Sequence, residues 1–291
     1  MTIAGSGGAG EGALLPWPDE WFPPVRPRHI VLVVGMSLVA LAILAAGILA
    51  LVDDNTGAAV VLILMCPILV LLTAWGFLAL LRGRHRDPSV VDSGYVSEVG
   101  KPATVIPYSL PVFACYVLLV FAVLLFFGFF AVALSAVGAR DGFGDPAVLV
   151  PLAISGVASI SCLYFLFTVI RGRLGRGSLA LMPDGVYHRG WMTRSFVGWD
   201  EVLSVRAYEV LHGPIIRIGS VGNDHSSVAP TSSGPVREIE VRGRLLSVDP
   251  ALTYHALRYY HEHPEARAEL AGDAAVRRLR SGALPVSQRP T

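Results

Sequence analysis

Lysine is almost missing from this chain. Of its 23 basic residues other than histidine, only Lys101 is a lysine. Cysteine is scarce as well. Cys66, Cys115 and Cys162 all fall in apolar stretches with neither pairing nor metal-ligand spacing. That excludes a disulfide framework and a zinc site, and leaves the thiols as small packing groups. The formal net charge of +1 provides no global field to recruit nucleic acid, so no nucleic-acid partner is expected. Charge of either sign is absent from four runs, Ile30–Val52, Ala58–Leu81, Leu110–Val137 and Ala147–Ile170. Ionisable groups buried in a bilayer usually mark ion or proton paths, and these runs offer none.

What is present is hydrocarbon. Hydrophobic residues make up 53% of the 291, and the mean hydropathy is +0.58. Each of the four runs exceeds the roughly 20 residues that cross a bilayer as a helix. The expected architecture is an all-α four-helix membrane bundle over 30–170, with spans at 30–52, 58–81, 110–137 and 147–170, followed by a polar domain. The first run begins too far in, and is too long, for the apolar part of a cleaved signal, so it is read as a retained span.

Basic residues set the expected orientation. Arg26 and Arg28 flank the first span, and Arg82, Arg84, Arg86 and Lys101 lie in the second loop. Arg171, Arg173 and Arg176 follow the fourth span, while only Arg140 lies on the opposite side. Short cytoplasmic loops retain Lys and Arg. Both termini and the polar domain are therefore expected in the cytoplasm of a bacterial cell, with these arginines as inner-leaflet anchors.

Residues 1–29 read as a disordered leader followed by an interfacial segment. The stretch Gly5–Gly10 matches GxGxxG without the strand and helix that would give the motif meaning. In Pro16–Pro24 the prolines oppose a helix, and Trp17, Trp21 and Phe22 suit the headgroup layer. Within the spans, Ala42, Ala46 and Ala50, and the small residues from Ser155 to Cys162, are spaced for close helix packing and leave a homo-oligomer open. Pro67 and Pro151 are expected to kink the second and fourth spans.

Residues 171–176 read as a flexible basic hinge. Beyond it, short alternating stretches at 178–182, 186–189, 193–197, 202–209, 214–220 and 236–241 read as strands. Pro183-Asp184-Gly185 forms a turn between the first two, and 223–234 a polar loop. At Asp249, a good N-cap before Pro250, the spacing becomes helical. A second helical piece is expected over 265–280, and 281–291 as a flexible tail.

The arginine bias, the stretch Leu179–Val186 with its Pro183-Asp184-Gly185 turn, the strand opening Trp199-Asp200-Glu201-Val202, Asp249-Pro250 and the run His263–Leu270 together resemble actinobacterial multi-span membrane proteins with a C-terminal bacterial PH-like domain. The resemblance covers 177–280. It implies a small β-barrel or sandwich plugged by a C-terminal helix, and a binding or scaffolding module rather than an enzyme.

Between 178 and 247 seven arginines meet seven acids, so no concentrated basic pocket stands out. Arg189 and Arg194 are the one candidate ligand-facing hairpin. Asp224-His225-Ser226 contains triad residue types only in a loop, and His261-Glu262-His263 lacks the four-residue spacing of a helical metal pair. No cofactor or metal is expected. The function these features favour is a non-enzymatic membrane protein that presents its PH-like module to a protein partner. The alternative is a transporter or an accessory subunit of a transport complex.

Overall fold

The computed structural model describes residues 15–23, 27–81, 87–143, 145–191, 193–210, 213–221 and 238–285. Arg26, Arg82, Arg84, Arg86 and the 224–226 loop lie outside them. Helices α1 (Pro27–Val52) and α2 (Thr56–Gly76) come first, α2 extended by a π turn at Phe77–Leu81. A β-hairpin follows, β1 (Asp92–Val96) and β2 (Lys101–Pro107), and then α3 (Leu110–Asp141) and α4 (Pro146–Ile170). All four helices are long and apolar enough to cross a membrane, and few of their side chains are buried inside the protein.

The spans pack chiefly in chain order, α1 on α2, α2 on α3 and α3 on α4. On α1 the buried positions are His29, Val33, Ala40 and Gly47, the last three seven residues apart. Gly47 lies so close to α2 that an added Cβ would stand 3.3 Å from the Leu62 Cβ. Ala42 and Ala46, expected in that seam, are exposed instead. On an all-round apolar helix, small residues alone do not say which face meets protein. Ser155 of α4 is buried, and Cys115 of α3 donates its thiol to the Leu71 carbonyl at 3.2 Å.

After α4 the strands follow the sequence reading closely: β3 (Ser178–Met182), β4 (Gly185–Arg189), β5 (Arg194–Gly198), β6 (Val202–Val210), β7 (Gly213–Ser220) and β8 (Glu238–Arg242). The chain ends in α5 (Pro250–Glu262), a 3-10 stretch at Pro264–Ala271 and α6 (Asp273–Ser281). Asp249 caps α5 as expected, accepting from the Ala251 N–H at 3.0 Å. The single helix expected over 265–280 is divided at Gly272.

One antiparallel sheet runs β1-β2-β3-β4-β5 and the other β6-β7-β8. Their inner faces share a core with α5. Ile106, Leu179, Leu181 and Val186 from the first sheet meet Ile216, Ile218, Ile239 and Val241 from the second, with Leu257 and Tyr260 from the helix. In β8 the alternation is as read, with Ile239 and Val241 inside and Glu238 and Glu240 outside.

Three expectations need correction. The first concerns the domain boundary at 177, which falls between paired strands. Hairpin β1–β2 comes from the loop between α2 and α3, and β2 pairs with β3 from Thr104↔Leu181 to Pro107↔Ser178. The loop read only as a carrier of positive charge is thus part of the sheet.

The second concerns the Pro/Trp segment. Trp21 is buried against the sheets, not placed for a headgroup layer. Its indole N–H donates to the Tyr208 carbonyl at 2.9 Å, and its ring lies 5.8 Å from Tyr254. His255 reaches back to the Pro16 carbonyl at 2.8 Å. Tyr254 on α5 and the Tyr208 carbonyl on β6 engage ring and N–H together, which favours burial over an interface.

The third concerns the hinge at 171–176. Its first half is exposed, but Leu174 is buried and the Arg176 guanidinium donates to the Tyr108 carbonyl. At Gly177 a Cβ would lie 2.5 Å from the Tyr108 ring and 2.7 Å from the Arg189 carbonyl, so only glycine lets the chain pass.

Candidate functional site

The place where spans and sheets join is built by three residues, Pro107–Ser109, between β2 and α3. The Tyr108 N–H donates to the Gly177 carbonyl at 2.8 Å, and the Ser109 N–H donates to the Leu245 carbonyl at 2.6 Å. Ser247 returns its hydroxyl to the Pro107 carbonyl at 2.6 Å. One short segment thereby ties the first sheet, the chain leaving β8 and the start of α3 into a single joint.

A cavity of about 510 Å³ lies beside this joint. Trp75 reaches it from the last turn of α2, and Tyr116 from the second turn of α3. The β4–β5 turn adds Trp191 and Thr193, while β8 adds Glu240 and Arg242. Gly190 makes the turn tight, its N–H donating to the Thr193 carbonyl at 2.8 Å. That turn carries Trp191 onto α3, where its ring lies 4.9 Å from Tyr116 and 5.8 Å from Phe113. Tyr116 in turn meets Phe165 of α4 edge-on at 5.5 Å.

The indole N–H groups of Trp75 and Trp191 are both buried and make no hydrogen bond. A buried donor without an acceptor costs about 1–3 kcal/mol. Glu240 is engaged by Arg217 at 2.8 Å, whereas Arg242 has no carboxylate partner among the described residues. The cavity is lined by aromatic rings from α2, α3 and the β4–β5 turn, together with Arg242.

At its back, Tyr108 Oη lies 2.7 Å from His188 Nε2. Burial pushes the His188 pKa down to about 4 and holds the Tyr108 phenol well above its usual range, so both are neutral at physiological pH.

No protein family, curated protein or solved structure gives a significant match to this chain.

The residues singled out from sequence are not gathered in this cavity. Arg189 and Arg194 both turn to Glu98 in the β1–β2 turn, at 3.7 and 3.9 Å. An acid contributed by the inter-span loop thus offsets the candidate ligand-facing hairpin. Among the expected anchors, Arg171 stacks on Phe167 at 4.4 Å, Arg173 and Arg28 are exposed, and Arg176 is held by Tyr108. Lys101 pairs with Asp184. His263 stacks on Tyr259 with centroids 4.6 Å apart, and no cluster of three metal-ligating side chains occurs among the described residues.

Sequence reasoning missed the cavity because its lining comes from five separate stretches. The one available signal was Trp191, a large indole in a glycine turn two strands after the fourth span.

The buried histidine predicts a pH dependence. Below about pH 6.5 the unfolded chain binds a proton that folded His188 refuses until about pH 4. Stability is then full above 6.5 and falls as pH drops to 4, by about 3 kcal/mol for this group. Thermal melting of the detergent-solubilised chain from pH 7.5 to 4 should show this slope. His188→Gln should flatten it, and an unchanged slope in the variant would assign the dependence elsewhere.

Proposed function

We propose that this is a non-enzymatic protein of a bacterial plasma membrane, with both termini cytoplasmic, that holds a PH-like module against the bilayer and presents it to a protein partner. The module reading is supported by two antiparallel sheets around one core to which a helix, α5, contributes. The partner reading rests on an exposed apolar pair. Leu203 on β6 is 66% exposed and Val221, just past β7, 57%. They are near each other because Val202 pairs with Ser220. Among the described residues β6 is also an edge strand, paired in its sheet with β7 alone, and an apolar edge is the usual template for an added strand or docked segment. The runs forming the spans carry no acidic or basic side chain, which weighs against transport.

A photo-crosslinking residue at Leu203 of the full chain, in its native membrane, should capture a discrete protein. The same residue at Arg206, exposed on the same strand, should capture less. Equal capture at both positions removes the partner reading.

The orientation has its own test. Because β2 pairs with β3, the α2–α3 loop and the domain after α4 share one side, and basic flanks place that side in the cytoplasm. Reporter fusions at Asp54 and Gly142 should read external, and fusions at Val96 and after Thr291 internal. An external C-terminal reporter overturns the orientation.

A further inference from the structure

We propose that a smaller pocket at the N-terminus of α3 binds a phosphate group through the Ser109 hydroxyl and the Arg176 guanidinium. The phosphate belongs to a lipid head or to a small soluble ester, and titration separates the two. The site goes beyond the protein-partner reading and does not depend on it. The pocket encloses about 250 Å³ between the start of α3, the chain entering β3 and the chain after β8, with Ser109, Leu110, Arg176 and Ser247 in its walls.

A helix leaves its first N–H groups without internal acceptors and carries partial positive charge at that end. A serine at the N-cap ordinarily turns its oxygen onto one of those donors. Ser109, the N-cap of the 32-residue α3, does not. Ser109 is only 7% exposed, yet its hydroxyl makes no hydrogen bond among the described residues. The oxygen is not sealed into the core either, so it faces the pocket that it lines. A hydroxyl so deeply set, unpaired beside an uncapped helix end, is completed by a ligand rich in acceptors.

The charge comes from Arg176. Its Nε donates to the Tyr108 carbonyl, which fixes the plane of the guanidinium, and its terminal nitrogens meet no carboxylate among the described residues. Burial lowers its pKa from the usual value with no acid acting against that shift, as expected of a cation drawn partly out of water without a counter-ion. A fixed guanidinium with two terminal donors matches phosphate oxygens. One acid, Asp87, also lines the pocket, but Ser89 occupies both its oxygens, the N–H at 2.8 Å and the hydroxyl at 2.6 Å, and the charge of Arg280 acts on it. Ser247 spends its proton on the Pro107 carbonyl at 2.6 Å and competes for none of these groups. Leu78 and Leu110 supply apolar wall for the carbon that the phosphate carries.

Binding is measured on the full chain in a neutral detergent and phosphate-free buffer, by calorimetric titration and thermal shift. The probes are inorganic phosphate, dihexanoyl phosphatidate and dihexanoyl glycerol. At least one of the two phosphates should bind saturably and raise the melting temperature, with dihexanoyl glycerol weaker by about tenfold or more. Phosphatidate tighter than inorganic phosphate by about tenfold assigns the site to a lipid head, and comparable affinities assign it to a soluble phosphate. Ser109→Ala should weaken the bound phosphate several-fold and leave the ligand-free melting point unchanged, because the hydroxyl removed has no partner. Arg176→Gln should weaken it by about tenfold or more. Ser109→Asp puts a carboxylate at the helix cap where the phosphate would sit, and should abolish binding in a chain that still melts cooperatively. Undiminished affinity in any of these variants that folds, dihexanoyl glycerol bound as tightly as the better phosphate, or no saturable binding of either phosphate overturns the proposal.

Discussion

A soluble fragment of residues 177–280 is expected not to fold, although its strands and helix were all legible. Cutting at 177 removes β2 from the open edge of β3 and takes away Ile106, Tyr108 and Val91, each at most 3% exposed in the intact chain. Burying such side chains contributes about 1.5–3 kcal/mol apiece, so three of them come to about 6 kcal/mol. That is comparable with the whole stability of an ordinary domain, about 5–15 kcal/mol. The loss continues at the other end. Arg280 donates to the Val91 carbonyl at 2.8 Å, Ser93 to Asp273 at 2.8 Å, and Thr104 to the Leu270 carbonyl at 3.2 Å. Without the hairpin, α6 and the 3-10 stretch before it lose their seat. Far-ultraviolet dichroism of the fragment should lack a cooperative melt, whereas residues 87–108 joined through a short glycine linker to 177–285 should restore one. A sharp transition in the bare fragment would show that the hairpin is an accessory.

Trp199→Ala in the full chain should cost roughly 3–5 kcal/mol, the range for truncating a large buried aromatic. Trp199 is 3% exposed, its indole N–H donates to the Met182 carbonyl at 2.7 Å, and Arg267 lies over its ring at 5.2 Å. It therefore ties the end of β5 to the end of β3 and to the chain after α5. Trp199→Phe keeps most of the packing but leaves the Met182 carbonyl without its donor, a loss of about 1–3 kcal/mol. Urea titration followed by dichroism should rank native above Phe above Ala. An Ala variant as stable as the native chain would remove Trp199 from the core.

Both predictions rest on parts of the chain that differ in how visible they are in sequence. Spans were plain because nothing but a membrane helix needs more than twenty consecutive uncharged residues. Strands β3 to β8 were plain because alternation and turn chemistry agree, as at Pro183-Asp184-Gly185. Trp199 stands in the strand opening Trp199-Asp200-Glu201-Val202, a place where an aromatic side chain suits the core.

The hairpin was hidden by its own composition. Gly94, Pro102 and Pro107 lower strand propensity, and Lys101 made the loop look like a topology signal. Its β structure shows only in the fold, in the Gly100 turn at a positive φ of 70° and in the pairing of Asp92–Val96 with Lys101–Val105. Trp17 and Trp21 were misplaced because an aromatic near a span suits either lipid or a protein groove, and sequence does not show the groove. The cavity was hidden for a related reason: its residues are ordinary one by one, and only the joint at Tyr108 brings them together.

The pairing of β2 with β3 also has a meaning in time. During synthesis β2 leaves the ribosome before α3 and α4 exist, and its partner strand follows only after both have been made. The contact between Arg280 and Val91 spans 189 residues. Contacts so distant in sequence are slow to close. Hairpin β1–β2 therefore waits beside the spans as an unpaired edge until β3 is made, and a chain cut short before α6 leaves the Val91 carbonyl without Arg280.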